Sequence, residues 1–176
     1  SLGSAVWAKH VVDGDLLYEI DAREIPEDWP WGLIPLGTDA PALSADDLGS
    51  GWTVDTIHFA LNSALTDWAF ARSRDVALED TDGMADFRTR FEGLPAAQRP
   101  PRVMLGDTLA SSTYWHGARM NAWANSWVRV HAGADAEFVT TNMEDAGTLT
   151  AIHRLGRIGR AAPERVMVLR TVSNFS

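Results

Sequence analysis

Polar side chains that can bind a ligand or move a proton follow three of the strands that the sequence predicts. These strands are residues 102–109, 136–141 and 165–172. Parallel strands of an α/β sheet bring their carboxyl ends to one edge, and ligands bind in the crevice at that edge. We therefore expect the three polar sets to face one crevice. The sets are residues 106–108 and 111–116, residues 140–145, and Arg170, Thr171, Ser173 and Asn174.

Several of these residue types also have a structural explanation. Serine, threonine, asparagine and aspartate are common in turns and helix caps. Asp107 suits a turn, and Asn142 or Thr141 suits the N-cap of the helix that follows. Glu144 and Asp145 lie in the first turn of that helix, where the macrodipole favours carboxylates. The sequence alone leaves the structural and the functional interpretation open for each of them.

Arg170 and His116 carry the most specific signals in this set. Arg170 lies within the apolar run 165–172, and a buried guanidinium requires a partner, for which Glu144 and Asp107 are the candidates. His116 is the histidine next to the expected crevice, and the other histidines lack the spacing of metal ligands. The H-E-x-x-H, P-loop, G-x-G-x-x-G and G-x-S-x-G motifs are all absent from the sequence. No metal site is therefore expected.

The order of elements after residue 102 predicts the scaffold that must position these side chains. Strand, helix, strand, helix and strand follow one another, which indicates an α/β fold with a largely parallel sheet. The last strand is nearly all apolar and is expected to be buried on both faces. Thr53 or Asp55 is expected to cap the first helix. The predicted strands are residues 5–12, 16–22, 102–109, 136–141 and 165–172, and the predicted helices are residues 54–74, 82–91, 117–132 and 144–158.

Residues 26–52 form a long excursion rich in proline and glycine that contains Trp29, Trp31 and Trp52. Long loops of this kind are usually functional or packed down by their own aromatic side chains. The favoured interpretation is that the tryptophans hold the loop on the domain, and the alternative is a binding platform. An exposed apolar patch on this excursion would favour a homo-oligomer and an interaction domain as the function of the chain.

The composition limits the classes of function. The chain has 176 residues, a formal net charge of −9 and no cysteine. The length suits a single partial α/β domain over residues 1–176, and the acidic balance argues against nucleic acid as a partner. Disulfides and thiolate chemistry are excluded, and no stretch approaches the roughly 20 apolar residues of a membrane span. Because the sequence starts at Ser1 without a methionine and stops just after an apolar run, we expect truncation at both ends.

Four runs of residues carry a resemblance to a known family. They are SLGSAVWAKHVVDGDLLYEIDAREIPEDW (1–29), GDTLASSTYWHG (106–117), FVTTNMEDAGTLTAI (138–152) and RVMVLRTVSNFS (165–176). In this order they resemble the purine nucleoside permease (NUP) family, which is similar to the nucleoside phosphorylase and nucleosidase superfamily. The resemblance implies a nucleoside phosphorylase-like fold, a three-layer αβα sandwich around a mixed, mostly parallel sheet. It also implies a purine nucleoside as ligand, no cofactor, phosphate as the candidate co-substrate, and an exported or periplasmic location.

The resemblance further implies a substrate site. Met143 would pack under the ribose, and Glu144 would accept hydrogen bonds from the ribose hydroxyls. Asn174 forms a pair with Ser173 and would meet the purine near N7. Glu144 and Asn174 are the implied catalytic residues. The implied substrate-binding set is Met143, Glu144, Arg170, Ser173 and Asn174, with Thr108 and Leu109 beside the base.

Glu144 and Asn174 lead to two hypotheses about function. Cleavage of an N-glycosidic bond builds positive charge on the ribose, which a carboxylate stabilises, and negative charge on the purine, which a donor near N7 stabilises. This chemistry favours a phosphorylase-like or hydrolase-like enzyme. The amide of Asn174 donates a hydrogen bond but supplies no proton, unlike the aspartate of the nucleosidases. The alternative is therefore a non-catalytic nucleoside-binding protein that assists nucleoside uptake.

Overall fold

Short strands and helices alternate along the chain. The structure is a computed structural model that describes residues 1–49 and 53–175. Within these described residues, no helix combines the length and the apolar character that crossing a bilayer requires. The strands are β1 (Ala5–Ala8), β2 (His10–Asp13), β3 (Leu17–Glu19), β4 (Leu33–Pro35), β5 (His58–Ala60), β6 (Val103–Leu105), β7 (Asp107–Ala110), β8 (Phe138–Asn142) and β9 (Val168–Thr171). The α-helices are α1 (Ser63–Ser73), α2 (Asp82–Arg88), α3 (Pro95–Gln98), α4 (Ala118–Ala132) and α5 (Asp145–Arg157).

The described strands form three sheets. One sheet has the order β6-β1-β9, the second has the order β5-β2-β7-β8, and β3 and β4 form a hairpin. β1 runs parallel to β6, and β7 runs parallel to both β2 and β8. The pairs β1–β9, β2–β5 and β3–β4 are antiparallel. The mixed α/β fold that the sequence predicts is confirmed, and parallel and antiparallel pairings are equally frequent among the described strands.

Two of the predicted strands pass from one sheet to the other. The run 5–12 forms β1 and β2, which are separated at Lys9, and the run 102–109 forms β6 and β7, which are separated at Gly106. A Cβ atom on Gly106 would overlap the side chain of Val139. The close approach at this crossing therefore requires glycine. Because β1 is parallel to β6 and β2 to β7, the two strand pairs change sheet together.

Helices cover both faces of the four-stranded sheet. Successive residues of a strand point to opposite faces. Leu109 of β7 packs in an apolar cluster with Trp123 and Trp127 of α4. Its neighbour Ala110 packs in a second cluster with Leu149 of α5. The sheet thus lies between α4 and α5, and the expected three-layer αβα arrangement is confirmed.

The predicted helix over residues 54–74 is wrong in its first half. That half forms β5, and α1 begins only after it. The helix is capped by Asn62, whose side-chain oxygen accepts the Leu65 N–H at 3.1 Å, and not by Thr53 or Asp55. β5 pairs antiparallel with β2. This pairing, made with a segment distant in sequence, overrides the helical spacing of the apolar residues.

The last strand, β9, is an edge strand and not the doubly buried strand that its apolar sequence predicts. It pairs with β1 alone among the described strands. Val168 is 9% exposed, whereas Leu169, which points to the opposite face, is 45% exposed. One face of β9 is therefore open, and Arg170 shares the more buried face with Val168.

Most other predicted elements are present with shorter bounds. Residues 16–22 contain β3, residues 136–141 correspond to β8, and residues 82–91 contain α2. Residues 117–132 and 144–158 correspond to α4 and α5. The short helix α3 lies in a proline-rich stretch where the sequence predicts only a break.

The excursion over residues 26–52 is attached to the domain by the β3–β4 hairpin and by an aromatic contact. Trp31 packs at the edge of the apolar cluster under α4. Trp29 is half-buried. These contacts agree with the interpretation that the tryptophans hold the loop in place. Trp52 lies outside the described residues.

Candidate functional site

A cavity of about 390 Å³ lies at the ends of β8 and β9, a volume within the range of small-molecule sites. Residues 113–116 of the loop between β7 and α4 form part of its wall, together with residues 138–144 and 170–175. Arg99 and Arg102 complete the charged part of the lining. The structure thus brings together members of all three polar sets that the sequence places at strand ends.

Most of the predicted substrate-site residues line this cavity. Glu144 and Asn174, the two predicted catalytic residues, line the same space although they follow different strands. Both are exposed. The cavity therefore offers an acidic and an amide side chain to one ligand. The predicted residues in the lining are Met143, Glu144, Arg170, Ser173 and Asn174.

Thr108 and Leu109, which the resemblance places beside the base, lie away from the cavity lining. Both are completely buried in β7. The Thr108 hydroxyl donates to the Thr140 carbonyl at 3.0 Å, and Leu109 belongs to the apolar cluster under α4. Because β7 lies between β2 and β8 and is covered on both faces, none of its residues lines the cavity, and the segment that follows β7 enters the lining at Ser111.

Asn142 fixes the backbone that carries Glu144. Its side-chain oxygen accepts the N–H groups of Glu144 and Asp145 at 3.1 and 2.9 Å, at the start of α5, where backbone N–H groups lack helical partners. Its amide donates to the Thr108 hydroxyl oxygen at 2.8 Å. The N-cap residue of α5 is Glu144, so the prediction of Asn142 or Thr141 at that position is wrong, and Asn142 acts from two residues before it. The start of α5 is thereby tied to the buried centre of the sheet.

Arg170 joins two carboxylates at the cavity wall. Its Nη2 lies 3.3 Å from Glu144 Oε2, and its Nη1 lies 3.2 Å from Asp145 Oδ1. Glu144 is therefore a partner of Arg170, as the sequence predicts, whereas the other candidate, Asp107, lies elsewhere in the fold. The Glu144 side chain is still 67% exposed. Arg170 orients this carboxylate and leaves much of it accessible to a ligand.

Asp145 is the buried member of this charged group. Burial raises the pKa of its carboxyl above the ordinary value of 3.8; the Arg170 charge opposes this shift and the Glu144 charge adds to it. Its Oδ2 is buried and has no hydrogen-bond partner among the described residues. The guanidinium of Arg170 thus compensates a buried carboxylate and an exposed one at the same time.

Asp107 has a structural role within β7 and does not form a turn. Its carboxylate accepts the backbone N–H of His10 at 2.9 Å and that of Glu137 at 2.8 Å. The side chain is buried. These two bonds connect β7 to the start of β2 and to the segment that leads into β8.

A histidine pair that sequence spacing does not reveal lies near Asp107. His10 Nδ1 and His58 Nε2 are 2.9 Å apart. Burial, and next the His10 charge, lower the pKa of His58, and Asp107 opposes the shift. The pairing of β2 with β5 brings the two rings together, and local sequence patterns do not predict this pairing. Within the described residues, no group of three or more His, Cys, Asp or Glu side chains is arranged to hold a metal ion.

The loop between β7 and α4 is anchored on both sides. The Asp15 carboxylate accepts the Ser111 hydroxyl at 2.7 Å. Burial would raise the pKa of Asp15, but hydrogen bonds from this loop lower it overall. Further along the loop, the ring of Trp115 packs edge-on against Trp123, with centroids 6.1 Å apart. His116 follows directly and lines the cavity. The sequence does not identify Asp15 as an anchor, because its partners are distant along the chain.

Comparison with known sequences gives a family match over the whole chain. The family profile described as "Purine nucleoside permease (NUP)" matches residues 1–176. A purine nucleoside permease of Candida albicans is 31% identical over 180 residues, which cover 100% of this chain and 43% of the relative. A probable purine nucleoside permease of Schizosaccharomyces pombe is 30% identical over 178 residues, which cover 99% of this chain and 51% of the relative. The chain spans about half the length of the curated relatives it matches.

Two solved structures share part of the chain path. One is a 5'-methylthioadenosine/S-adenosylhomocysteine nucleosidase from Neisseria meningitidis in complex with methylthio-immucillin-A, with 16% identity and a TM-score of 0.42 over 99% of this chain and 49% of that chain. The other is a futalosine hydrolase mutant of Helicobacter pylori, with 14% identity and a TM-score of 0.39 over 98% of this chain and 50% of that chain. Similarity at this level carries no argument about activity.

Proposed function

This chain belongs to the purine nucleoside permease (NUP) family, and from that premise we propose that its cavity binds a purine nucleoside and supports phosphorylase-like chemistry at the N-glycosidic bond. One observation carries the proposal. Met143, Glu144, Arg170, Ser173 and Asn174 come from two different strand ends and line one cavity. The cavity volume of about 390 Å³ suits a ligand of nucleoside size.

The ribose would lie at Glu144. A carboxylate accepts two hydrogen bonds at once, which suits the neighbouring hydroxyl groups of a ribose. Arg170 holds the carboxylate from one side at 3.3 Å. Met143, which is 43% exposed, offers an apolar surface to the carbon face of the sugar.

The same arrangement suits cleavage of the N-glycosidic bond. Positive charge that develops on the ribose would be stabilised by Glu144, and the Asn174 amide would donate to the departing purine. Arg99 and Arg102 line the cavity and would supply guanidinium groups for phosphate, the co-substrate of a phosphorylase.

A specific observation also favours a second function, nucleoside binding without cleavage in support of uptake. Asn174 has an amide at the position where an acid would protonate the base.

Measurements on the protein at its full length test this proposal. The protein is incubated with inosine, guanosine or adenosine, with and without phosphate, while free base is followed by chromatography and binding by calorimetry. Base release that requires phosphate supports the phosphorylase, and release without phosphate indicates a hydrolase. Binding without release supports the uptake function. Absence of both binding and release contradicts the proposal.

Glu144→Ala identifies the site within this experiment. We expect nucleoside affinity to fall about 100-fold or more, because charge-assisted hydrogen bonds to the ribose are lost. Glu79→Ala is the matched control, since Glu79 is exposed and lies outside the cavity lining. Unchanged affinity in Glu144→Ala would remove Glu144 from the site.

A further inference from the structure

We propose that His116 is the general acid that protonates the departing purine in this cavity. The inference rests on the proposed function and deepens it, because it supplies the proton donor that Asn174 does not provide. His116 lines the same cavity as Glu144 and Asn174. His116 belongs to a third segment of the chain, the loop between β7 and α4.

The ionisable groups in the cavity differ in how readily they release a proton. Guanidinium groups do not give up a proton in proteins, and a phenol is a weak acid at neutral pH. The Glu144 carboxylate is engaged by Arg170. An imidazolium is the group in this set that transfers a proton readily near pH 7. The ionisable side chains of the described lining are Arg99, Arg102, Tyr114, His116, Glu144 and Arg170.

The loop that carries His116 is held in place on two sides. On one side, Asp15 accepts the Ser111 hydroxyl at 2.7 Å. On the other side, Trp115, the residue just before His116, packs against Trp123 in the buried cluster. A proton donor must be positioned by its surroundings to be effective. These anchors fix the main chain next to His116.

A turn at Gly117 follows His116 directly. Gly117 has a φ of 106°, a conformation that favours glycine over other residues, and α4 starts immediately after it. The next charged side chain, Arg119, is directed to the Pro30 carbonyl at 2.6 Å. The turn therefore ends the loop at His116, and α4, which follows it, contributes Asn121 to the same lining.

In the proposed step, the bond between C1' of the ribose and the purine nitrogen breaks, and its electron pair goes to the purine. The proton of the His116 imidazolium moves to a purine ring nitrogen and neutralises it. An oxygen of water or inorganic phosphate bonds to C1', and the proton that this nucleophile loses goes to solvent, from which His116 is reprotonated. Asn174 holds the base by a hydrogen bond during the step.

The test compares rates of base release from inosine at neutral pH, with and without phosphate, in the full-length protein. His116→Asn should lower release by about 100-fold or more. Nucleoside affinity should stay within about twofold, because the proton transfer is not part of ground-state binding. His116→Ala should regain part of its rate on addition of free imidazole. His153→Asn is the control, since His153 is exposed on α5 and outside the cavity lining.

The outcomes separate this inference from the function on which it rests. A His116→Asn protein that releases base at the wild-type rate overturns the inference and leaves the proposed enzyme unaffected. A wild-type protein that binds inosine but releases no base also overturns it and supports the uptake function. Failure of the wild-type protein to bind nucleoside removes both. Loss of release together with imidazole rescue of His116→Ala supports the inference.

Discussion

The sugar end of the proposed site and its base end are built differently. At the sugar end, Glu144 is contacted by Arg170 and stands on backbone that Asn142 fixes. The Asn142 amide continues this network to the buried hydroxyl of Thr108. Each link is a hydrogen bond between protein groups, so the carboxylate is in position before a ligand arrives.

The base end depends on a short segment that follows an edge strand. Ser173 and Asn174 are exposed. The Val172 N–H donates to the Ser4 carbonyl at 2.9 Å, and the ring of Phe175 contacts that of Phe91 with centroids 5.6 Å apart. The main chain is attached on both sides of the pair, while the two polar side chains extend toward the cavity space.

This difference indicates a division of labour. Preorganised polar groups give affinity at low entropic cost, because they need not be ordered on binding. Exposed side chains at the base end are easily exchanged without disturbing a buried network. We therefore expect the sugar end to set affinity for nucleosides in general and the base end to set the choice among purines.

The largest loss of stability is expected from breaking the sugar end at Asn142. In Asn142→Ala, the N–H groups of Glu144 and Asp145 lose their acceptor and the Thr108 hydroxyl loses a buried donor. We expect unfolding free energy to fall by about 2 kcal/mol. Nucleoside affinity should fall about tenfold, because Glu144 is no longer held. Chemical unfolding and calorimetry measure the two quantities.

Asn62, whose side chain also accepts a backbone N–H at the start of a helix, gives the matched control for this variant. Asn62 accepts the Leu65 N–H at the start of α1 at 3.1 Å, and it lies outside the cavity lining. Asn62→Ala should lower stability by about 1 kcal/mol and leave nucleoside affinity unchanged. Equal losses of affinity in both variants would mean that Asn142 acts through stability alone.

The sugar end is also the part of the site that the sequence predicts best. The order of strands and helices places polar residues at neighbouring strand ends, and a guanidinium in an apolar run requires a partner. Glu144 is a partner of Arg170 in the structure, as that reasoning expects. Local chemistry suffices for this result, since Asn142, Glu144 and Asp145 are close in sequence and only Arg170 comes from another strand.

The failures arise where strand pairing decides the outcome. Residues 54–60 have helical spacing but contain β5, because β2 offers an antiparallel partner. Thr108 and Leu109 follow the expected turn in sequence, yet the strand continues through them and buries both. The His10–His58 contact depends on the same β2–β5 pairing. Pairings between distant segments are not encoded in local periodicity.

A fall in pH is expected to change the stability contributions of the two ends in opposite directions. The loop at the base end packs through Trp115, Trp123 and Trp127 onto His131, whose ring lies 4.6 Å from that of Trp127. Burial, and next the His58 charge, lower the pKa of His131 to about 4 from 6.5. Its contribution to stability is therefore present above pH 6.5 and is lost as the pH falls toward 4. At the sugar end the raised pKa of Asp145 has the opposite sign, because acid neutralises a buried carboxylate there.

Unfolding in urea, followed by tryptophan fluorescence, tests this expectation. Stability should fall by about 1–2 kcal/mol between pH 7 and pH 5. His131→Phe keeps a ring against Trp127 and should lose much of this pH dependence. His153→Phe on α5, which keeps a ring against Phe59, should retain the pH dependence. An unchanged pH dependence in His131→Phe would assign the effect to other groups, among which His58 also has a lowered pKa.

The smallest effect is expected from Asn174→Asp, which alters the base end and leaves the sugar network intact. The carboxylate replaces an amide donor, so we expect the ratio of guanosine to adenosine affinity, or its pH dependence, to change a few-fold, by roughly 1 kcal/mol. Overall affinity should change less than in Asn142→Ala, because the ribose contacts remain. Gln98→Glu makes the same amide-to-acid change outside the cavity lining and should change neither quantity. If base preference and pH dependence are both unchanged in Asn174→Asp, residue 174 does not contact the purine, and the base end must be sought along the loop that carries His116.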